Sequence, residues 1–217
     1  YRIRFDTAAY FATQGITGIV GVTGILQKTG VGTLTFSGTA DNPSLSLDVA
    51  TGVVNLGKSS SATVHSVGVA SGSSAASVFG ASLIVGDGAI VNITGTGGDQ
   101  IHDQSSIVVR TCGTLNLGGG TATAETFDSL AGGGSVTNTG LTGTFTLTLG
   151  ASNNVNVSAY SVAAADAGLA STGLNNFTGV ISDGGAGMAV ALTKIGSGTQ
   201  ILGGLNTYSG PTTINAG

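Results

Sequence analysis

Residues 25–38 read ILQKTGVGTLTFSG, and residues 191–204 read ALTKIGSGTQILGG. Lys28 aligns with Lys194, Gly30 with Gly196, Gly32 with Gly198, Thr33 with Thr199, Phe36 with Leu202 and Gly38 with Gly204. The offset is constant at 166 residues (194 minus 28). A second matching piece precedes each copy: Ile16-Thr17-Gly18-Ile19-Val20 and Phe177-Thr178-Gly179-Val180-Ile181. A chain that reuses its own units stacks them as similar layers, so the constraint is architectural before it is catalytic.

Composition supports a folded, sparsely charged chain. Only 7% of the 217 residues are charged, 5% are aromatic and 41% are hydrophobic, with 39 Gly and no Trp. Disordered chains combine high net charge with low hydrophobicity, the reverse of this pattern. Six Lys and Arg against ten Asp and Glu give a formal charge of −4, and two of the six cations fall within the first four residues. That leaves no cation cluster to displace counterions from nucleic acid or to hold an anionic membrane surface. The single Cys112 makes neither an internal disulfide nor a cysteine metal site. No uninterrupted apolar run of 18 residues exists, so no spanning helix is expected. The start, YRIRFDTAAYFATQG, has no apolar core long enough for a signal peptide. The chain reads as an interior or processed piece of a longer polypeptide.

Short strands account for most of the pattern. Residues 33–36, 44–49, 144–149 and 154–157 alternate Leu, Phe or Val with Thr, Ser, Asp or Asn. Period-two alternation places the two sets on opposite faces. The runs end at glycines such as Gly38, Gly57, Gly86, Gly118, Gly150 and Gly203, which read as corners. An Asn between aliphatics recurs at Asn55, Asn92, Asn116, Asn156 and Asn215, in steps of 37, 24, 40 and 59 residues. These steps lie near two, one, two and three times a period of about 20, the size of one β-helix coil. A sandwich would need closer strand spacing and more aromatic anchors. The expected aliphatic column includes Leu34, Phe36, Leu47, Leu56, Val85, Ile93, Leu117, Phe145, Leu147, Val157 and Leu192. Residues 58–77, rich in Ser and Ala, read as a poorly patterned coil, and the Ala-rich stretch 159–172 allows one short helical turn.

Residues 191–217 carry a family resemblance. Leu192-Thr193-Lys194, Gly196, Gly198-Thr199, Asn206-Thr207-Tyr208, Gly210, Thr212-Thr213 and Ile214-Asn215-Ala216-Gly217 resemble the passenger-associated transport repeat, also called the autotransporter-associated β-strand repeat. Gln200 and Pro211 depart from its pattern. The first copy keeps Lys28 to Gly38 but has Thr39-Ala40-Asp41-Asn42-Pro43 in place of the Asn-Thr-Tyr half. The resemblance implies an all-β fold, a right-handed single-stranded parallel β-helix (solenoid), in a secreted or surface-displayed bacterial protein exported across the outer membrane. It implies no catalytic residues.

Candidate chemistry is thin. Asp99-Gln100-Ile101-His102-Asp103 is the densest polar cluster, but on a strand His102 would point away from Asp99 and Asp103, and a solvated turn accounts for it. β-Helical polysaccharide enzymes gather acids and bases on one face, whereas Asp87, Asp128 and Asp183 each sit beside Gly or Ser and Asp166 two residues before Gly168, in turn-like settings, and Glu125 is the only glutamate. Gly97-Gly98-Asp99 and Asp183-Gly184-Gly185 echo calcium-binding repeats without their tandem array. Lys28 and Lys194 do not open helices, so neither Gly-x-Gly beside them is a phosphate loop. Cys112 is expected in the interior as a small hydrophobe, and His65, lacking an acidic neighbour in sequence, as a surface or packing histidine. Asn92-Ile93-Thr94, Asn156-Val157-Ser158 and Asn176-Phe177-Thr178 match the glycosylation acceptor pattern by chance in Asn/Thr-rich strands.

The reading is one continuous β-helix segment over residues 1–217, of roughly nine to eleven coils, with repeat-like units at 16–57 and 177–217. No catalytic, cofactor-binding or metal residues are assigned, and no cofactor is expected. The expected partners are neighbouring β-helix repeats of the same or an identical chain, stacked end to end, or surface carbohydrate on a Thr/Asn/Ser face. Nucleic acid and direct membrane insertion are not expected. The role is a spacer, stalk or fibre element, with an adhesin as the alternative and a polysaccharide-degrading enzyme third.

Overall fold

The computed structural model describes residues 2–6, 13–17, 24–59, 63–69, 81–140, 142–152 and 175–217. Its strands are β1 (Arg2–Asp6), β2 (Thr13–Thr17), β3 (Gly24–Thr29), β4 (Thr33–Ser37), β5 (Leu45–Val49), β6 (Val53–Leu56), β7 (Leu83–Val85), β8 (Ile90–Ile93), β9 (Ser106–Val109), β10 (Thr114–Asn116), β11 (Ala124–Phe127), β12 (Ser129–Ala131), β13 (Ser135–Asn138), β14 (Gly143–Leu149), β15 (Asn176–Phe177), β16 (Val180–Asp183), β17 (Met188–Lys194), β18 (Ile201–Leu202) and β19 (Thr212–Ile214). The alternating Thr, Val, Leu and Ile of these runs suit a pleated surface, and the described residues contain no helix.

The strands wind into a three-sided solenoid. The first sheet runs β1-β3-β5-β7-β9-β12, the second β2-β4-β6-β8-β10-β13-β16, and the third β11-β14-β17-β19. A bridge from Gly132 to Phe177 carries the first side on into β15 and β18. Every pairing between these strands is parallel. Before β11 the third side is irregular, held by the bridges Ser59–Thr96 and Val67–Ile101. The described strands of the first side therefore stack as eight layers, beginning at β1, β3, β5, β7, β9, β12, β15 and β18.

Eight is fewer than nine to eleven, and the register shows why. Asn55 lies directly beside Asn92, so their 37-residue step is one layer and not two. Ser135 lies beside Val180, 45 residues on, again within one step. Ordinary steps are near 20, as in Thr33 beside Val53. Neither long step places a further strand between the paired ones.

Inward positions form one continuous column. In the second sheet Leu34, Val54, Val91, Leu115, Val136 and Ile181 stand in register and are fully buried, and Phe36, Leu56 and Ile93 make a second rank. Phe145 and Leu147 line the third side, and Leu47, Leu83, Ile107 and Leu130 the first. Every residue of the expected column is buried except Val157, which lies outside the described residues. The first sheet departs from simple alternation. Its other face, with Ser46, Asp48, Ile84, Val108, Ser129 and Ala131, is buried as well, as is common for parallel strands.

Candidate functional site

The duplicated lysines take part in coil stacking. Lys28 stands on the inward face of β3 and is fully buried. Its Nζ donates to the carbonyls of Thr29 (3.2 Å), Gly30 (2.7 Å) and, one layer on, Thr51 (2.9 Å). Lys194 donates to Ile195 (2.5 Å), Gly196 (2.9 Å) and, one layer on, Ala216 (3.5 Å). Gly30 and Gly196 both turn the corner at positive φ, 79° and 68°. An ammonium has three donors, and here they meet three carbonyls around one tight corner. Burial lowers the Lys194 pKa, and the Asp128 carboxylate pulls it the other way.

Other polar side chains act as rungs between layers. Asn92 Nδ2 donates to Asn55 Oδ1 at 2.9 Å, and Asn116 Nδ2 to Asn92 Oδ1 at 3.2 Å. Asn55 Nδ2 reaches Thr35 Oγ1 at 3.4 Å, and Asn116 Oδ1 accepts from the Thr139 amide at 2.9 Å. Asn55, Asn92 and Asn116 of the Asn unit seen in the sequence thus form a ladder on the outer face of the second sheet, whereas Asn215 follows β19 on the third side. Gln200 explains its own departure from the repeat pattern. β15 is too short to pair with Leu130, so the Gln200 carboxamide accepts from Leu130 N (3.1 Å) and donates to Leu130 O (2.7 Å) and Asn175 O (2.9 Å). Asn206 Oδ1 accepts from Ile181 N at 2.9 Å in the same manner. Asp183 accepts from Val190 N (2.8 Å) within its turn and from Ser209 N (3.0 Å) one layer on, and the Ser209 hydroxyl first, then these amides, hold its pKa below the usual value.

Among the described residues titratable groups concentrate where the third side is irregular. Asp41, His65 and His102 follow one another through successive layers. His65 Nδ1 lies 3.0 Å from Asp41 Oδ1, and the two imidazoles stack with centroids 4.7 Å apart. Alongside runs a buried rank: Asn42 Nδ2 donates to Ser66 O (3.0 Å), Ser66 Oγ to Gln100 Oε1 (2.8 Å), and the Gln100 and Ile101 amides to the two oxygens of Glu125 (3.1 and 2.9 Å). Gln100 also accepts from Lys58 N (3.1 Å) and donates to Lys58 O (2.8 Å). Lys58 sends its ammonium to Ala40 O. Burial drives the Glu125 pKa well up, against the pull of its two amide donors. Burial lowers Lys58, opposed by Asp41. Burial, then His65, lowers His102, and burial, then Asp99, raises Asp103.

This arrangement ties successive layers together. Glu125 is sealed, with both oxygens engaged by backbone amides. His102 Nδ1 accepts from the Gln104 amide at 3.2 Å, which leaves the proton on Nε2. Among the described residues no three His, Cys, Asp or Glu side chains are placed to hold a metal ion.

His65 is the packing histidine expected, and it gains an acidic neighbour, Asp41, from the preceding layer 24 residues away, which is invisible locally. Asp99 to Asp103 runs through bends and a turn, as expected, and is not a strand. Asp99 turns at φ 63°, Ile101 joins the apolar core, and His102 feels both Asp99 and Asp103. One expectation is corrected: Cys112 is not interior. It is an exposed thiol at a corner with φ 64°. Asn156, Asp166 and the stretch 159–172 fall outside the described residues. Glu125, Gln100, Lys58 and Asp41 had no local signal, since their partners lie 18 to 42 residues away.

The family model of the passenger-associated-transport-repeat matches residues 26–42 and 192–217. Searches of curated proteins and of solved structures found no match. The two matched stretches begin within the strands that carry Lys28 and Lys194, so each stretch of this parallel β-solenoid that is similar to the passenger-associated-transport-repeat is built on a lysine corner.

Proposed function

We propose that this chain is a non-catalytic structural solenoid of an exported bacterial surface protein, serving as a spacer or stalk. The carrying observation is where the polar groups are engaged. Lys28, Lys58, Lys194, Gln100, Gln200, Glu125, Asp183 and the Asn ladder all hydrogen-bond from one layer to another, so the side chains that could do chemistry reinforce the long axis. The passenger-associated repeat supports export, because it marks a passenger-associated segment of the autotransporter kind. A ladder of parallel strands transmits load through its backbone, which suits a stalk. The test is atomic-force pulling of the chain between terminal handles. The expected trace is a series of small, similar steps as layers peel, and a single all-or-none rupture would sink the reading.

A second reading, a carbohydrate-binding passenger, is favoured by one face. The outer side of the second sheet presents Thr33, Thr35, Asn55, Asn92, Thr114, Asn116, Ser135 and Thr137 without a charged residue. Retention on a glycan array, lost on Asn116→Leu and Thr137→Val, would support it.

A further inference from the structure

We propose that the stacked imidazoles of His65 and His102 form an acid-operated latch on the irregular third side, which opens between residues 63–69 and 96–105 when both rings carry a proton. The two rings meet with centroids 4.7 Å apart, and they are held in opposite ways. Asp41 Oδ1 accepts from the His65 amide at 2.7 Å and lies 3.0 Å from its Nδ1, so a proton on that ring faces a carboxylate. His102 Nδ1 instead accepts from the Gln104 amide at 3.2 Å. A proton entering at this nitrogen displaces the Gln104 bond and sets N–H against N–H. It also leaves two imidazolium rings stacked on one another, a like-charge pair that titrates as a unit. The other charged or titratable groups around the pair are Lys58, Asp99, Asp103 and Glu125. Asp103, Asp41 and Asp99 favour charge on His102, but burial and then His65 outweigh them and lower its pKa. Lys58 adds positive charge near Asp41, and Glu125, sealed on the Gln100 and Ile101 amides, supplies no counterion.

The latch acts where the stack is held least. Between the third and fourth layers the first side is joined by the ladder of β5 and β7, and the second by that of β6 and β8. Among the described residues the third side is joined there by the isolated bridges Ser59–Thr96 and Val67–Ile101. Ser66 N and Val67 N donate to Gln100 O (2.8 and 3.1 Å), and His102 N donates to Val67 O (2.9 Å). His65 precedes Ser66 and His102 follows Ile101, so repulsion between the rings works directly on these bonds. Opening wets the buried Ser66, Gln100 and Lys58, while the ladders of the other two sides keep the layers in register. Segments that open locally are those with few ladder bonds. The closed side holds His102 below its ordinary 6.5, so the open side takes up the proton first. Closure is therefore fullest above about 6.5 and declines as pH falls toward the lower folded value. This adds to the structural role a soft joint that works in acid.

Amide hydrogen exchange of the full chain, corrected for intrinsic rates, tests the latch at about pH 7.5 and about pH 4.5. Protection of the Ser66, Val67 and His102 amides is expected to fall about tenfold at the lower pH, the change that one pKa unit supplies. The amides of β7 and β8 are expected to keep their protection. His102→Gln removes the second charge and is expected to abolish the acid loss, whatever it does to protection at neutral pH. Asp41→Asn keeps an acceptor for the His65 amide but removes the countercharge, and its opening is expected to begin at higher pH. Equal protection of the three amides at both pH values would overturn the proposal. A loss shared equally by β7 and β8 would mean general acid unfolding and overturn it too, as would an acid loss that persists in His102→Gln.

Discussion

Lys28 and Lys194 hold the same set of carbonyls at different corners of the solenoid. Lys28 ends β3 of the first sheet and the chain then enters β4 of the second, whereas Lys194 ends β17 of the third and the chain then enters β18 on the first side. Each Nζ binds the next two carbonyls and one from the following layer. The repeat therefore specifies a corner and is indifferent to which of the three sides it joins. That explains how one short pattern recurs in layers of unequal length.

Lys28→Met should lower stability by about 3 kcal/mol, because it keeps the stem's packing but removes three buried ammonium bonds, of whose acceptors Gly30 O keeps the Thr51 hydroxyl at 3.3 Å. Lys194→Met should cost clearly less, since its corner lies in the last layers and its reach to Ala216 is 3.5 Å. Urea midpoints of the two variants measure the difference, and amide exchange at residues 29–33 and 51–53 should rise in the first alone.

Gly52 and Gly88 separate backbone conformation from space. Both have positive φ, 80° and 71°. A Cβ on Gly52 would sit 2.3 Å from Gly30 O and 2.6 Å from Lys28 Nζ, whereas one on Gly88 meets nothing within 4 Å. Gly88→Ala should cost about 1 kcal/mol from φ alone. Gly52→Ala should cost several times that or abolish the soluble fold, as read by thermal melts and soluble yield.

Asn92→Asp tests the ladder. Asn92 donates to Asn55 and accepts from Asn116. A carboxylate keeps the second bond but faces the Asn55 carbonyl oxygen without a proton, at a cost of about 1–3 kcal/mol at neutral pH. Protonation below the usual carboxylate range restores a donor, so the deficit against wild type should shrink at pH 3. A deficit unchanged with pH would mean the amide ladder is not what holds these layers in register.

Cys112 should react fully with a thiol reagent in the native chain, at a rate close to that of the unfolded chain, because it is exposed at a left-handed corner. Protection of the native thiol would contradict that placement.

The core was legible because its signal is local: alternation at Leu34 and Phe36 or Phe145 and Leu147 needs only the strand itself. The Asn ladder was half legible. Its composition showed, but its spacing misled, since one layer absorbs 37 residues between Asn55 and Asn92. The ties His65–Asp41, Gln100–Lys58 and Gln200–Leu130 span 24, 42 and 70 residues, so nothing near any of them in sequence announces the partner. Unequal layer lengths hide such pairs even where the pattern of each layer is plain.

Glu125 and His102 should give stability opposite slopes with pH. His102 is held below its ordinary 6.5, chiefly by burial and then by His65. The unfolded chain then takes up the proton first, so stability is fullest above about 6.5 and declines as pH falls toward the lower folded value. Glu125 is raised well above its ordinary 4.5 by burial. Here the folded chain keeps the proton longer, so stability falls as pH rises from 4.5 through the raised value, and Asp103, raised by burial and then by Asp99, has the same sign. Each group contributes at most about 1.4 kcal/mol per pH unit. His102→Gln should flatten the decline below pH 6.5. Glu125→Gln should flatten the decline above 4.5, even though its amide accepts from only one of the Gln100 and Ile101 N–H groups and lowers stability at every pH. Denaturant midpoints from pH 4 to 8 read slope separately from level. Equal slopes in wild type and both variants would show that neither group changes its proton affinity on folding.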